Sequence, residues 1–168
     1  KDLGHGQTIV FFNDSETFHW QRPQDELCDV RSGVICSPNN FLYEGEVLTD
    51  GVIRVTLMAD YDRWCQLPEN EYRLAKLHWY DRTLASATRF VTDYRHHVID
   101  TDMFTPRTIH RYTWHDNGAV YGAPDKRLDG RTKFEHLYIC GTDQGYVGVV
   151  GSLLSGILVT NRHLLGDD

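Results

Sequence analysis

No run of about eighteen apolar residues occurs anywhere in the chain, which excludes a membrane-spanning helix. Positive charge is scarce as well: 17 Lys and Arg stand against 24 Asp and Glu, a formal charge of −7. A nucleic-acid surface, which needs a basic patch, is thereby excluded. His96, His97, His110 and His115 lie near Asp100, Asp102 and Asp116, but H-E-x-x-H and comparable ligand spacings are missing, so no metal site is read. The four cysteines, Cys28, Cys36, Cys65 and Cys140, contain no C-x-x-C pair. They read as reduced thiols of a cytoplasmic protein, with Cys36 and Cys140 serving as small buried hydrophobes inside apolar runs. A signal-peptide pattern is absent from Lys1-Asp-Leu-Gly4, and a start without methionine suggests a piece of a longer polypeptide. Repeats and low-complexity segments are absent too.

What remains is globular: 40% hydrophobic and 24% charged residues are enough to bury a core. The expected class is α+β, a mainly antiparallel sheet with one long helix over residues 1–115 and a strand–turn–helix tail over 116–168. Strands are expected at 7–13, 17–20, 31–37 and 51–59, the last β-branched and nearly continuous. Leu67-Pro-Glu-Asn-Glu opens a helix, with proline and acids in its first turn. Tyr72, Leu74, Ala75, Leu77, Trp79, Leu84, Ala87 and Val91 carry the helix to about Thr92. Its aromatics, with Trp64, read as core ahead of a lining for a large apolar ligand. Residues 97–100 and 108–114 read as strands, the second from its alternation of Ile109, Arg111 and Thr113 against His110, Tyr112 and Trp114. A short strand-like segment at 119–124 and a charged, solvated loop at 125–133 follow.

The tail organises the rest. Leu137–Cys140 reads as a short strand, Gly141-Thr-Asp-Gln-Gly145 as a turn, and a helix begins near Val147. Val150, Leu153, Leu154, Ile157, Leu158, Asn161, Leu164 and Leu165 share one side of that helix. Gly148, Ser152, Gly156 and Thr160 form a second row of small side chains, which lets a backbone or a flat ligand come close. A strand running through a glycine-rich turn into a helix N-terminus offers unpaired N–H groups and partial positive charge to a cofactor oxygen or phosphate. Asp143 in the turn either accepts from sugar or ribityl hydroxyls or simply caps the helix.

Gly118-Ala-Val-Tyr-Gly-Ala-Pro124, Leu137-Tyr-Ile-Cys-Gly-Thr-Asp-Gln-Gly145, Gly148-Val-Val-Gly-Ser-Leu-Leu-Ser-Gly156 and Asn161-Arg162 are similar, in order and spacing, to the closing motifs of one flavoprotein family. It is the family of phytoene desaturases, carotenoid isomerases and retinol saturases, within the amine-oxidase-like FAD oxidoreductases. The resemblance covers residues 106–165 and is looser before them. It implies that 1–115 is a partial substrate-binding lobe and 116–168 the C-terminal segment of an FAD-binding lobe. It implies FAD as cofactor and an apolar, polyene-like small-molecule substrate of carotenoid or retinoid type. Gly141, Thr142 and Asp143 would meet the ribityl–phosphate part of the flavin. Gly148, Val149 and Val150 at the helix N-terminus would face the isoalloxazine ring, and Asn117, Gly118 and Tyr121 would lie near the flavin and the substrate channel.

The family's first βαβ unit carries G-x-G-x-x-G, and this sequence has no such motif. The AMP and pyrophosphate half of the site is therefore expected in an N-terminal part, on the same or a separate chain. No catalytic residue is nameable. A non-catalytic module for a hydrophobic ligand, or a partner subunit, stands as the alternative. Peripheral membrane contact stays open.

Overall fold

The structure, a computed structural model, describes residues 3–41 and 48–166. It is α+β: a three-stranded antiparallel sheet and, among the described residues, four α-helices. The chain divides into two compact units, Lys1–Thr108 and Ile109–Asp168.

In the first unit β1 (Ile9–Asn13), β2 (Cys28–Cys36) and β3 (Arg54–Ala59) lie in that order, β2 central. The register pairs Val10 with Ile35 and Phe12 with Gly33 on one side, then Ile35 with Val55 and Gly33 with Leu57 on the other. Because side chains alternate, these residues share one face. That face packs with Ile53, Ala87, Phe90 and Val91 into one apolar cluster. Gly33 is required there, since a Cβ would sit 2.6 Å from the Thr56 carbonyl oxygen.

Helix α1 (Tyr61–Gln66) begins at Asp60, whose carboxylate accepts the Arg63 N–H at 2.9 Å. It buries Trp64 completely, and the indole N–H donates to the Leu27 carbonyl at 3.0 Å. Helix α2 (Glu69–Ala87) then buries Trp79, Ser86 and Ala87, at helical spacing. Trp64, Trp79 and Cys28 form a second cluster with Tyr72, Ala75 and Met103. The core reading of Trp64 and Trp79 therefore holds. Leu74 and Leu77, expected on the inner side of the helix, are exposed.

Several expected strands are absent. Residues 17–20 form no strand, and Arg95–His97 is a single 3-10 turn leading to an irregular stretch in place of the strand at 97–100. The alternation at 108–114 is overruled more sharply, because Pro106–Thr113 is a helix, α3. Its start lies in Thr105-Pro106. Proline fits the first helical position, and the buried Thr105 Oγ1 accepts the Thr108 N–H at 3.3 Å. Tyr72 Oη joins both threonine hydroxyls, at 2.9 and 3.0 Å. Two-residue alternation over seven residues is weak against such a cap.

In the second unit, residues 119–124 bend without forming a strand. Leu137–Cys140 is likewise no strand; among the described residues it has one β-bridge, Arg131 with Tyr138, beside the Ile139 N–H to Gly130 carbonyl bond and the Thr132 hydroxyl to Leu137 carbonyl bond, both at 2.8 Å. The expected terminal helix is present as α4 (Gly148–His163). Cys140, expected buried, is exposed, and Cys36 is half-buried; Cys28 is the buried thiol, and all four are free.

Candidate functional site

The site read from the tail is built around Gly141–Gln144, a 3-10 turn between two glycines with positive φ, +83° at Gly141 and +109° at Gly145. A Cβ at Gly141 would force a conformation that L-residues rarely hold. The turn is strapped to α4 through one buried hydroxyl. Ser155 Oγ accepts the Gly141 N–H at 2.6 Å and donates to Gln144 Oε1, while Gln144 Nε2 donates to the Leu128 carbonyl at 3.0 Å. Each polar group in this strap has a partner, which is what makes its burial tolerable.

Asp143 ties the turn to the segment before it. Its Oδ1 accepts the Ala123 N–H at 2.6 Å, and its carbonyl accepts the Arg127 N–H at 2.9 Å. Gly122, with φ +74°, lies so close that a Cβ would collide with that carboxylate and meet Thr142 Oγ1 at 3.0 Å. Lys126 Nζ donates to the Thr142 carbonyl at 2.9 Å and also to the Tyr121 carbonyl. Gly141, Thr142, Asp143 and Tyr121 are thus gathered into one platform of two crossing segments. The helix-cap reading of Asp143 is overturned: α4 is preceded by Val147 with no side-chain cap. The carboxylate serves a backbone N–H twenty residues upstream instead.

Gly148, Val149 and Val150 stand at the start of α4, all exposed. Gly148 has φ +76°, and nothing lies within 4 Å of where its Cβ would be. Asn117 and Gly118 belong to a separate 3-10 turn, where Gly118 N–H bonds to the His115 carbonyl at 3.1 Å and Asn117 takes a left-handed φ of 57°. Their hydrogen bonds do not reach the platform.

The side of α4 that faces inward is not its apolar one. The buried residues are Ser155 and Val159, not the leucine and valine side. Val150, Leu153, Leu154, Ile157, Leu158, Leu164 and Leu165 are all exposed, and Val149 is 81% exposed. Nothing lies within 4 Å of a Cβ at Gly156 either, so of the small-residue row Ser152 lies against the Gly141 turn while the two glycines face open space. At 100° per residue the exposed apolar positions from Val149 to Leu165 span about half the helix circumference, with Thr160 and Asn161 the polar residues inside the arc.

Ser155, Gln144, Lys126 and Gly122 hold the site together and were not singled out by sequence reasoning. A buried serine on a leucine-rich helix carries no local signal. Gly122 was legible only as part of a motif.

In the first unit a cavity of about 270 Å³ is lined by Glu26, Asp29, Arg31 and Arg82, with Cys28 beside them. Four of its charges pair within the wall: Arg31 forks onto the buried Asp29 at 2.7 and 2.8 Å and holds that carboxyl below its usual range. Arg82 meets Glu26 at 3.1 Å. Burial pushes the Cys28 thiol up to about 11, opposed by the hydrogen bond with Trp64. Such a wall does not suit a polyene. Among the described residues no three His, Cys, Asp or Glu side chains converge as metal ligands, and no helix is long and apolar enough to cross a membrane.

Neither a family model, nor a curated protein, nor a solved structure matches the chain.

Proposed function

We propose that the chain is the C-terminal portion of an FAD-dependent oxidoreductase acting on an apolar, polyene-like substrate of carotenoid or retinoid type, completed by an N-terminal dinucleotide-binding part. The observation that carries the reading is α4. One side is strapped to a glycine turn by Ser155, and the other, half a circumference of valine and leucine, lies bare. A face of that width fits a layer of protein rather than a two-helix seam. An interfacial membrane helix would line the side opposite its apolar face with Lys and Arg, whereas α4 has Gly148, Gly151, Ser152 and Ser155 there, with Arg162 and His163 only in its last turn. The solitary bridge of Leu137–Cys140 has the same sense, since an extended segment becomes a strand only when a neighbour supplies the ladder.

The residues present fit one part of an FAD. Gly148 leaves open space for a flat ring beside the first amides of α4, and Asp143 uses one carboxylate oxygen on Ala123, leaving the other for a ribityl hydroxyl. Gly141 and Thr142 hold the turn next to it. The flavin, when bound, supplies hydride or electron exchange with the substrate. The chain's own part is to position it and to offer backbone N–H groups toward negative charge. The first unit belongs to the substrate lobe, and Asn117, Gly118 and Tyr121 to the approach between substrate and flavin.

Flavin titration tests this, first with the chain alone and then with the chain joined to a dinucleotide-binding polypeptide carrying G-x-G-x-x-G. The chain alone retains no FAD, the joined protein does, and Gly148→Leu in the joined protein abolishes binding. Stoichiometric FAD on the chain alone would refute the missing half. Normal flavin affinity in Gly148→Leu would refute the placement at α4.

A further inference from the structure

Among the described residues the outer edge of β1 is bare, and it is self-complementary; we infer that it pairs antiparallel with β1 of a second copy of this chain, making one sheet across a symmetric dimer. The Ser37 N–H bonds to the Thr8 carbonyl and the Asp14 N–H to the Arg31 carbonyl. With the register Ile9 to Cys36 through Asn13 to Ser32, antiparallel geometry turns the backbone groups of Val10 and Phe12 toward β2. Those of Ile9, Phe11 and Asn13 then point outward, and among the described residues none of them meets a partner.

Exposed edges normally carry guards: a proline, a lysine, a bulge or an inward charge. Ile9-Val-Phe-Phe-Asn13 has none of these. Its exposed side chains lie on the same face of the sheet as each other, Phe11 at 78% and Ile9 about half exposed.

A second copy satisfies this edge in one register. Centred on Phe11, antiparallel pairing sets Phe11 across from itself and Ile9 across from Asn13, so every outward N–H of one strand meets an outward C=O of the other. Phenylalanine facing phenylalanine is a favourable cross-strand pair. Asp14, which falls opposite Thr8 of the other copy, meets no like charge and is already paired with Arg89. The loop carrying Phe18 and Trp20 is anchored at this end of the strand: Ser32, the register partner of Asn13, donates its hydroxyl to the His19 carbonyl at 3.1 Å. Both aromatics are exposed, beside the place where Ile9 of the second copy arrives. Side chains of this size offer about 150–200 Å² each, so the four from each copy with their backbone bring the buried total near 1,000 Å², where specific dimers begin. The inference is independent of the flavin reading, since all its residues lie in the first unit.

Sedimentation velocity over a concentration series, on the full chain with Leu153→Glu added to silence α4, should show a dimer. Phe11→Lys should return it to monomer with an unchanged thermal melt, since Phe11 is not part of the core. In a Cys36→Ala, Cys65→Ser, Cys140→Ser background, oxidised Phe11→Cys should cross-link to a dimer, because the facing Cα atoms lie about 5.5 Å apart. Ile9→Cys alone should not, whereas Ile9→Cys with Asn13→Cys should. A monomer at all concentrations, a dimer that survives Phe11→Lys, or Ile9→Cys cross-linking as readily as Phe11→Cys would each overturn the inference. A monomer that instead binds an extended peptide along β1 would assign the edge to a different polypeptide and overturn it too.

Discussion

The two units use apolar residues in opposite ways. The first closes around Trp64, Trp79, Ile35 and Phe12, all at most a few per cent exposed. The second is held by Ser155, Gln144, Asp143 and Lys126, polar straps between backbone segments, while its leucines and all its valines but Val159 face out. Buried apolar area is the main term that offsets chain entropy, and the first unit has it. Under the proposed function, another surface covers that face. Stability of the second unit should therefore depend on a few hydrogen bonds until that surface is present.

The largest effect should come from Trp64→Ala. Truncating a fully buried tryptophan costs about 3–5 kcal/mol, and unfolding monitored by urea should show most of the first unit's stability gone. A loss under 1 kcal/mol would mean that this core is not what holds the unit.

Next in size is a pH effect at Cys28. Its folded pKa is pushed up to about 11 from the ordinary thiol value, so the folded state disfavours the thiolate. Between about pH 9 and pH 11 the unfolded chain loses that proton and the folded one keeps it, so stability falls as pH rises through this window. A shift of this order corresponds to about 2–3 kcal/mol. Urea melts against pH for the wild type and Cys28→Ala should diverge there, the variant lacking the decline; parallel curves would reject the account.

Ser155→Val should lower the second unit by about 1–3 kcal/mol, because the Gly141 N–H and the Gln144 amide both lose their buried partner. Amide exchange should accelerate at Gly141 while the sheet of the first unit is unaffected. Equal acceleration in both units would break the comparison.

The smallest effect should be that of Leu153→Glu, within about 0.5 kcal/mol in the chain by itself, since nothing covers Leu153. If a dinucleotide-binding part completes the chain as proposed, the same change should block that assembly, seen as loss of the complex in size-exclusion chromatography. Strong destabilisation of the chain alone would show that α4 already has a partner.

Much of this was legible in advance. The β-branched run at 51–59 and the apolar run at 7–13 became β3 and β1, because local propensity and burial agreed there. Trp64 and Trp79 read as core and are core. The expectation failed at Thr108–Trp114, where two-residue alternation was outweighed by the Thr105 cap and Pro106, a signature visible in the sequence and underweighted. It failed at Leu137–Cys140 for a different reason: an extended segment has no ladder without a neighbour, and none is recorded in the residues themselves.

By itself the sequence determined the α+β class, the approximate places of the three strands that do form the sheet, the terminal helix and the glycines that its turn demands, since each rests on contacts between near neighbours or on a backbone conformation. Only the tertiary structure decided which side of α4 faces inward. By burial energy alone, a helix with valine and leucine over half its surface would turn that side inward and leave Ser155 out. The choice is made by two distant backbone groups, Gly141 N–H and the carbonyl of Leu128 reached through Gln144, which must find hydrogen-bond partners once they leave water.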